Sequence, residues 1–336
     1  MSKKTTIYDV AEEADVSLAT VSRVINGSDV VRQQTKERVL EAIRKLDFKP
    51  NAVARGLATS KSTTIAVIFP QSIFARVKDM IGGIGDTGRT LDYSLTMYTT
   101  DELGDGNPIE EVIEKIVKSR ADGVVLFNND NIRQEIALCQ KYNMPTAVVG
   151  YEVADDNVTS VYADVHDIGK SLTEKFFAAG KDKVAFVRPQ QNLVDMGQLE
   201  SGLREAYDSA GKNLPDDAIM SVSTQYEEAY AFFMDYFKDH KPDAVIAGYD
   251  KEAVAILQAA QDSGYNVPDD VEVVGMVDST YALISRPKLT SVHLPVYDMG
   301  AVAVRLITKM LNNEEIDDPK VLMHYTLITR DSTKSL

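Results

Sequence analysis

Thr6-Ile7-Tyr8-Asp9-Val10-Ala11-Glu12-Glu13-Ala14-Asp15-Val16-Ser17-Leu18-Ala19-Thr20-Val21-Ser22-Arg23-Val24-Ile25-Asn26 carries two helical patterns separated by a short turn. Thr5-Thr6 supplies a cap. Ile7, Val10, Ala11 and Ala14 then fall on one face at i, i+3, i+4, i+7. Asp15-Val16 reads as the turn, Ser17 caps the second helix, and Gly27 stops it. Val21, Val24 and Ile25 lie on its inner side, which leaves Leu18, Ala19, Thr20, Ser22 and Arg23 outside. Small and hydroxylated side chains permit close approach to a major groove, and an arginine can pair bidentately with a guanine edge. A third helix is predicted from about Gln34 to Leu46, with Val39, Leu40 and Ile43 inward. A compact three-helix domain without a nucleic-acid role has the same periodicity, so this pattern alone leaves both readings open.

The next segment, Lys49-Pro50-Asn51-Ala52-Val53-Ala54-Arg55-Gly56-Leu57-Ala58, is a short helix candidate with Pro50 near its start. It is too short to be stable in water, and Gly56 weakens it by a further ~1 kcal/mol. Lys61-Ser62-Thr63-Thr64 is a polar linker. Such a marginal helix can order on DNA, with Leu57 as an apolar wedge in the minor groove. Read by itself, Leu57 is better taken as an ordinary apolar linker residue.

Charge is divided along the chain. The 336 residues carry a formal net charge of -15, which argues against binding phosphate. Residues 1–62 hold 11 basic and 8 acidic residues, however, and the remainder holds 25 and 43. A mildly basic head therefore precedes a strongly acidic body. No apolar run approaches the ~20 residues needed to cross a bilayer. The start, Met1-Ser2-Lys3-Lys4 and then polar and acidic residues, has no apolar core of a signal peptide. Cys139 is the single cysteine, so no intramolecular disulfide or cysteine metal cluster is possible, and a reducing cytoplasm is expected. His166, His240, His293 and His324 show no metal-ligand spacing, and no cofactor motif is present.

From Thr64 short apolar runs alternate with helical stretches. The runs are Ile65–Phe69, Leu95–Tyr98, Val124–Phe127, Ala147–Val149, Val184–Val187, Ala244–Ala247 and Val271–Gly275. Between most of them lie helical patterns such as Ile109–Arg120, Leu199–Ala210, Ala229–Asp239 and Lys251–Ser263. This rhythm predicts parallel strands joined by right-handed crossovers. Seven or more units exceed one comfortable sheet, which favours two doubly wound subdomains with a cleft at the strand C-termini over an α/β barrel. Ile81-Gly82-Gly83-Ile84-Gly85-Asp86 is glycine-rich but is not a dinucleotide fingerprint, and it falls in the first helix of the body. No nucleophile-elbow motif is present and no catalytic constellation emerges. The chain is read as a non-enzyme. Tyr249, Asp250 and Asp278 follow strands, where ligands bind, and are also ordinary loop residues by type.

The stretches 6–11, 16–26 and 50–57 resemble the headpiece of the lac repressor / galactose repressor family. The body is similar to that family's periplasmic-binding-protein-like core. The resemblance implies an all-α helix-turn-helix headpiece (1–48), a hinge helix and linker (49–62), and an α/β core of two doubly wound parallel-sheet subdomains. Those subdomains are 63–162 with 293–322 and 163–292 with 323–336, with crossings near Tyr162, Val292 and Leu322. It implies a homodimer on a pseudo-palindromic operator. Thr20 and Arg23 would read major-groove bases beside Leu18 and Ala19, and Leu57 of both subunits would wedge the central step. Thr6, Tyr8, Ser17, Ser22, Asn26, Asn51 and Arg55 complete the implied DNA contacts.

Two features bear on the effector. Aligned without gaps through Arg286-Pro287, Val277 takes the place of the aspartate that holds sugar hydroxyls in sugar-responsive members. Valine accepts no hydrogen bond, and a sugar hydroxyl buried against it would cost ~1–3 kcal/mol. Asp278 could substitute through a local bulge. Pro295 then opens a predicted helix through Lys309 in which Arg305 and Lys309 stand at i, i+4, with Tyr297 two turns before. Two adjacent cations and an aromatic can take a phosphate and an apolar patch, and they also fit a solvated basic face. The stretch 286–309 resembles the family branch devoted to carbon catabolite control. That branch is controlled by the serine-phosphorylated form of HPr, with sugar phosphates as secondary effectors. The resemblance carries Asp86, Tyr297, Arg305 and Lys309 over as partner contacts, with Leu91 where a tyrosine is expected. The alternative is a repressor released by a sugar in the cleft at Tyr249, Asp250 and Asp278. A secreted solute-binding protein is disfavoured by the headpiece and the absent signal.

Overall fold

The computed structural model describes residues 5–25, 30–48, 62–70, 73–100, 108–127, 132–190 and 193–336. The chain forms two compact units, 1–63 and 64–336. The first contains α1 (Ile7–Glu13), α2 (Leu18–Ile25) and α3 (Gln33–Lys45). Thr6 caps α1 in a reciprocal box: its hydroxyl accepts from the Asp9 N–H at 3.4 Å, and the Asp9 carboxylate accepts from the Thr6 N–H at 2.6 Å. Val10, Ala14, Val21, Val24, Val39 and Ala42 form the core. Leu40, expected inward, is 42% exposed. At 100° per residue the inner stripe of α3 runs through 39, 42 and 43, and Leu40 is rotated off its flank. Lys45 pairs with Glu13 at 2.6 Å and ties the end of α3 to α1.

The second unit holds two six-stranded sheets. The first contains β1 (Thr64–Phe69), β2 (Ser94–Thr99), β3 (Gly123–Phe127), β4 (Thr146–Val149), β5 (Thr159–Tyr162) and β11 (Lys320–Leu322), in the order β11-β5-β4-β3-β1-β2. The second contains β6 (Val184–Pro189), β7 (Ile219–Val222), β8 (Ala244–Ala247), β9 (Glu272–Val277), β10 (Thr290–His293) and β12 (Thr326–Ile328), in the order β12-β10-β9-β8-β6-β7. The two orders are the same pattern used twice. All pairings are parallel except β10 with β12, in which Val292 faces Leu327. The two-sheet architecture decides against a barrel. Central strands such as β3 and β8 are buried along their full length, as helix-covered parallel strands must be.

The connecting helices are α4 (Phe74–Thr90), α5 (Pro108–Ser119), α6 (Ile132–Lys141), α7 (Val165–Ala178), α8 (Val194–Ser209), α9 (Tyr226–Asp239), α10 (Asp250–Asp262), α11 (Thr280–Ile284) and α12 (Val296–Asn312). The chain leaves the first sheet after β5, returns to it through α12 and β11, and ends on β12 of the second.

The glycine-rich motif serves packing. A Cβ on Gly83 would stand 1.9 Å from the Tyr297 carbonyl oxygen, and one on Gly300 would stand 2.2 Å from that of Met80. Helices α4 and α12 therefore approach backbone to backbone. Gly169 and Gly202 do the same for α7 and α8, at 2.2 Å from the Leu199 oxygen and 2.0 Å from the His166 oxygen. Gly83→Ala is expected to destabilise the second unit by about 2–3 kcal/mol, because backbone has to move. Gly197→Ala, in α8 where a Cβ meets nothing within 4 Å, is expected to be neutral or stabilising by up to about 1 kcal/mol. Urea unfolding of the two variants checks both signs.

Candidate nucleic-acid and partner interfaces

Helix α2 presents the residues singled out for DNA. The Ser17 hydroxyl accepts from the Thr20 N–H at 3.2 Å and lies 2.9 Å from the Thr20 hydroxyl. Ser17 thus satisfies a free donor of the first turn and fixes Thr20 on the outer face. Leu18, Ala19 and Arg23 are exposed, and Thr20 and Ser22 are half-buried. Thr20 and Arg23 are three residues apart, so they share one face, with Val21 and Val24 buried on the other. Tyr8 is exposed on α1, beside the cap residue Thr6. Asn26, Asn51, Arg55 and Leu57 lie outside the described residues.

The second surface is where α4 meets α12. The Tyr297 hydroxyl donates to Asp86 Oδ2 at 2.8 Å, and Arg89 Nη1 lies 3.1 Å from Asp86 Oδ1. The hydrogen bond to Asp86 raises the Tyr297 phenol above its ordinary pKa. Arg305 is exposed two turns along α12 and has no ion-pair partner among the described residues. Lys309 is half-buried and donates to the Glu315 carbonyl at 3.3 Å. Leu91 ends α4 with part of its side chain exposed. Asp86 and Tyr297 are in direct contact, Arg305 and Lys309 continue along the same helix, and Leu91 stands a turn beyond Asp86. Arg89 was missed, although its i, i+3 spacing from Asp86 is legible in the sequence.

The cleft between the two sheets holds two cavities of opposite character. One, of about 70 Å³, is lined almost wholly by apolar groups, among them Val77, Met80, Phe127, Met196, Met276 and Met299. Its neighbour, of about 300 Å³, is lined by Thr224, Gln225, Lys251, Ser279 and Asp250 among others. Tyr249 and Val277 border both. Val277 and Asp278 adopt consecutive left-handed backbone, with φ of 93° and 58°. A β-branched residue rarely occupies that region. Val277 lines the cavities, whereas the Asp278 carboxylate, which lines neither, pairs with Arg330 at 2.7 Å. Arg330 is fifty-two positions away, and no local pattern announces it.

Asp250 opens α10 and is buried. Its carboxylate accepts from the Ser291 hydroxyl at 2.6 Å and from the Ser279 N–H. Burial pushes its pKa up to about 6, against the pull of those two donors. Gly275 is required beside it, because a Cβ there would stand 2.3 Å from Asp250 Oδ1.

Residues 6–51 match the model of the lacI family of bacterial regulatory proteins, and residues 173–333 match that of a periplasmic binding protein-like domain. The chain is similar to catabolite control protein A of Staphylococcus xylosus, with 34% identity over 330 residues, covering 98% of this chain and 99% of that protein. Among solved structures it is similar to a transcriptional regulator CelR-cellobiose complex, with 27% identity, a TM-score of 0.71, and coverage of 98% and 99%. It shares its fold with the lac repressor dimer bound to operator and the anti-inducer ONPF, at 22% identity and a TM-score of 0.86, with coverage of 98% and 99%. Such identity over nearly the whole length, together with the match at the headpiece, places the chain in the lacI family of DNA-binding transcription regulators.

Proposed function

We propose that this regulator serves carbon catabolite control in the cytoplasm, binding pseudo-palindromic operators as a homodimer with serine-phosphorylated HPr as its corepressor. Residues 1–48 act as the headpiece and 49–62 as the hinge. Residues 63–162 with 293–322, and 163–292 with 323–336, act as the two moving subdomains. The observation that carries the effector assignment is Arg305, an exposed guanidinium with no ion-pair partner among the described residues, one turn from Lys309 on the helix that presents Tyr297. A phosphoserine supplies the missing anion, and Tyr297 with Leu91 supplies apolar surface around it. Partner binding shifts the subdomain arrangement only to the extent that it favours one arrangement over the other. The likeness to catabolite control protein A over nearly the whole chain supports this reading.

A sugar inducer in the cleft is the competing reading, and a structural relative is a cellobiose complex. Here Val277 faces the cavities and Asp278 is paired with Arg330. Hydroxyls of a sugar would meet methionines in the smaller cavity. Sugar phosphates act as secondary effectors in the proposed scheme, and the chamber at Thr224, Lys251 and Ser279 is the place with donors for them.

Operator binding measured with and without serine-phosphorylated HPr tests the assignment. Arg305→Ala is expected to lose the partner's stimulation roughly tenfold or more while keeping partner-independent operator affinity. Full stimulation in that variant would overturn it. Leu57→Ala is expected to weaken operator binding and reduce DNA bending with the body still folded. Arg23→Ala is expected to lose sequence preference by about 1–3 kcal/mol, more than it loses non-specific binding. Competition between specific and random duplex measures that difference, and equal losses would assign Arg23 to phosphate.

A further inference from the structure

The second sheet carries a hollow at the edge opposite the cleft, where β6, β7 and β8 begin. Its volume is about 260 Å³, and its polar lining is Lys183, Asp217, Tyr236, Asp239, His240 and Lys241. Asp217 Oδ2 stands 2.5 Å from His240 Nδ1, and the Tyr236 hydroxyl donates to the same carboxylate. The Tyr236 and His240 rings are stacked, with centroids 4.6 Å apart and planes 6° from parallel. Burial and the Asp217 charge raise the Tyr236 phenol above its ordinary pKa, so it stays protonated and donates. Asp217 therefore holds the imidazole by its Nδ1 side, and Nε2 has no partner among the described residues. The strand ends do not need this network. The Lys183 N–H donates to Asp243 Oδ2 at 2.9 Å, and the Asp243 and Ala244 N–H groups donate to the Lys183 carbonyl at 2.9 and 3.3 Å. The edge is closed by those bonds alone.

The lysines around this edge are paired. Lys181 lies 3.5 Å from Glu272, Lys212 2.9 Å from Asp182, Lys238 3.0 Å from Asp235, and Lys241 3.5 Å from Asp270. Lys183, exposed at the hollow, forms no ion pair among the described residues. One ammonium without an anion, one imidazole nitrogen without a partner and a loosely paired second ammonium thus border the same space. Of the two acids there, Asp217 is engaged by His240 and Tyr236, which leaves Asp239. We propose that this hollow binds the phosphate dianion, free or as the end group of a small phosphomonoester, with Lys183 Nζ and His240 Nε2 as donors and Lys241 at the rim. A doubly charged oxyanion can accept from several cationic donors at once, through charge-assisted bonds. Its charge also favours the imidazolium form, the one in which Nε2 donates. Pockets for drug-sized ligands run from roughly 300 to 1,000 Å³, so a smaller hollow restricts the guest to a small monoester. The site lies away from both the cleft and the outer face of α12, and it stands whether or not either takes an effector.

The test is calorimetric titration of the full-length protein in a phosphate-free buffer, with inorganic phosphate in one arm and glycerol 3-phosphate in the other. Saturable binding is expected, with a Kd of roughly 0.1–1 mM. Tighter binding of the first probe marks a free-ion site, and tighter binding of the second marks a metabolite site. Lys183→Met and His240→Asn are each expected to weaken binding roughly tenfold or more, whereas Lys183→Arg, which keeps the charge, is expected to retain it. Lys183 is exposed and His240 half-buried, and urea unfolding shows whether each variant keeps the fold. The histidine ring signals of the unaltered protein give a second readout. The chain has four histidines, and the His240 signal, assigned by its loss in His240→Asn, is expected to move saturably with either probe. No saturable binding in both arms overturns the site, and so does a His240 signal that stays still. Undiminished binding in both Lys183→Met and His240→Asn overturns it as well, since the phosphate would then sit elsewhere. Arg305→Ala is expected to leave the His240 response unchanged, so this site and the partner face fail separately.

Discussion

The contact on which the second unit depends is the approach of Gly83 on α4 to the Tyr297 carbonyl on α12, with Gly300 against Met80 one turn on. Helix α12 follows β10 of the second sheet and covers the first, so it lies on one of the three crossings that join the two halves. Backbone-to-backbone packing leaves it little freedom to slide, because interiors are close-packed and any shift meets atoms rather than space. The inner face of α12 buries Met299, Ala303, Val304 and Ile307. Its outer face carries Tyr297, Arg305 and Lys309. One rigid element therefore borders both the cleft and the surface proposed for a partner.

Asp250 shows how a single polar group of the cleft becomes engaged by the scaffold. A buried carboxylate is costly unless donors surround it. Asp250 has two, the Ser291 hydroxyl and the Ser279 amide, and burial still holds its pKa at about 6. Those donors lie on β10 and at the residue before α11, so the same bonds fasten α10 to both, around Gly275 of β9. A sugar competing for Asp250 would have to dismantle that arrangement. The left-handed backbone at Val277 and Asp278 completes the division. Strain of this kind persists only where its surroundings over-determine it. Here it turns the apolar side chain to the cavities and the charged one to Arg330.

Much of this was legible in the sequence, for reasons that differ by element. β3 and β8 could be read because buried parallel strands are continuous apolar runs, and α1 and α2 because caps and 3.6-residue periodicity agree. β5, β7, β10, β11 and β12 escaped, since stretches such as Thr159-Ser160-Val161-Tyr162 and Thr290-Ser291-Val292-His293 are short and interrupted by polar residues. They owe their strand state to neighbours already in place. At the partner face, Tyr297, Arg305 and Lys309 were visible from helical spacing, while their distance from Asp86 depends on glycines whose purpose is tertiary. Val277 pointed away from a sugar by chemical type alone. The apolar lining of the smaller cavity stayed hidden, because Met80, Met196, Met276 and Met299 are scattered along the sequence and each reads as ordinary core.

The charge division between head and body bears on how a phosphorylated partner could be recognised at all. Residues 63–336 carry an excess of acids, so a phosphoserine protein approaching the body is not drawn in from a distance. At physiological ionic strength charges more than about 8 Å apart are largely screened, which limits that repulsion to the last approach. Discrimination then has to come from direct contact. A guanidinium with no local carboxylate is suited to this, because no existing ion pair has to break before the phosphate is met. Arg89 illustrates the opposite case: its charge is already committed to Asp86, which also holds Tyr297. Among the described residues, Arg305 forms no ion pair on this face, which suits it to the role proposed for it.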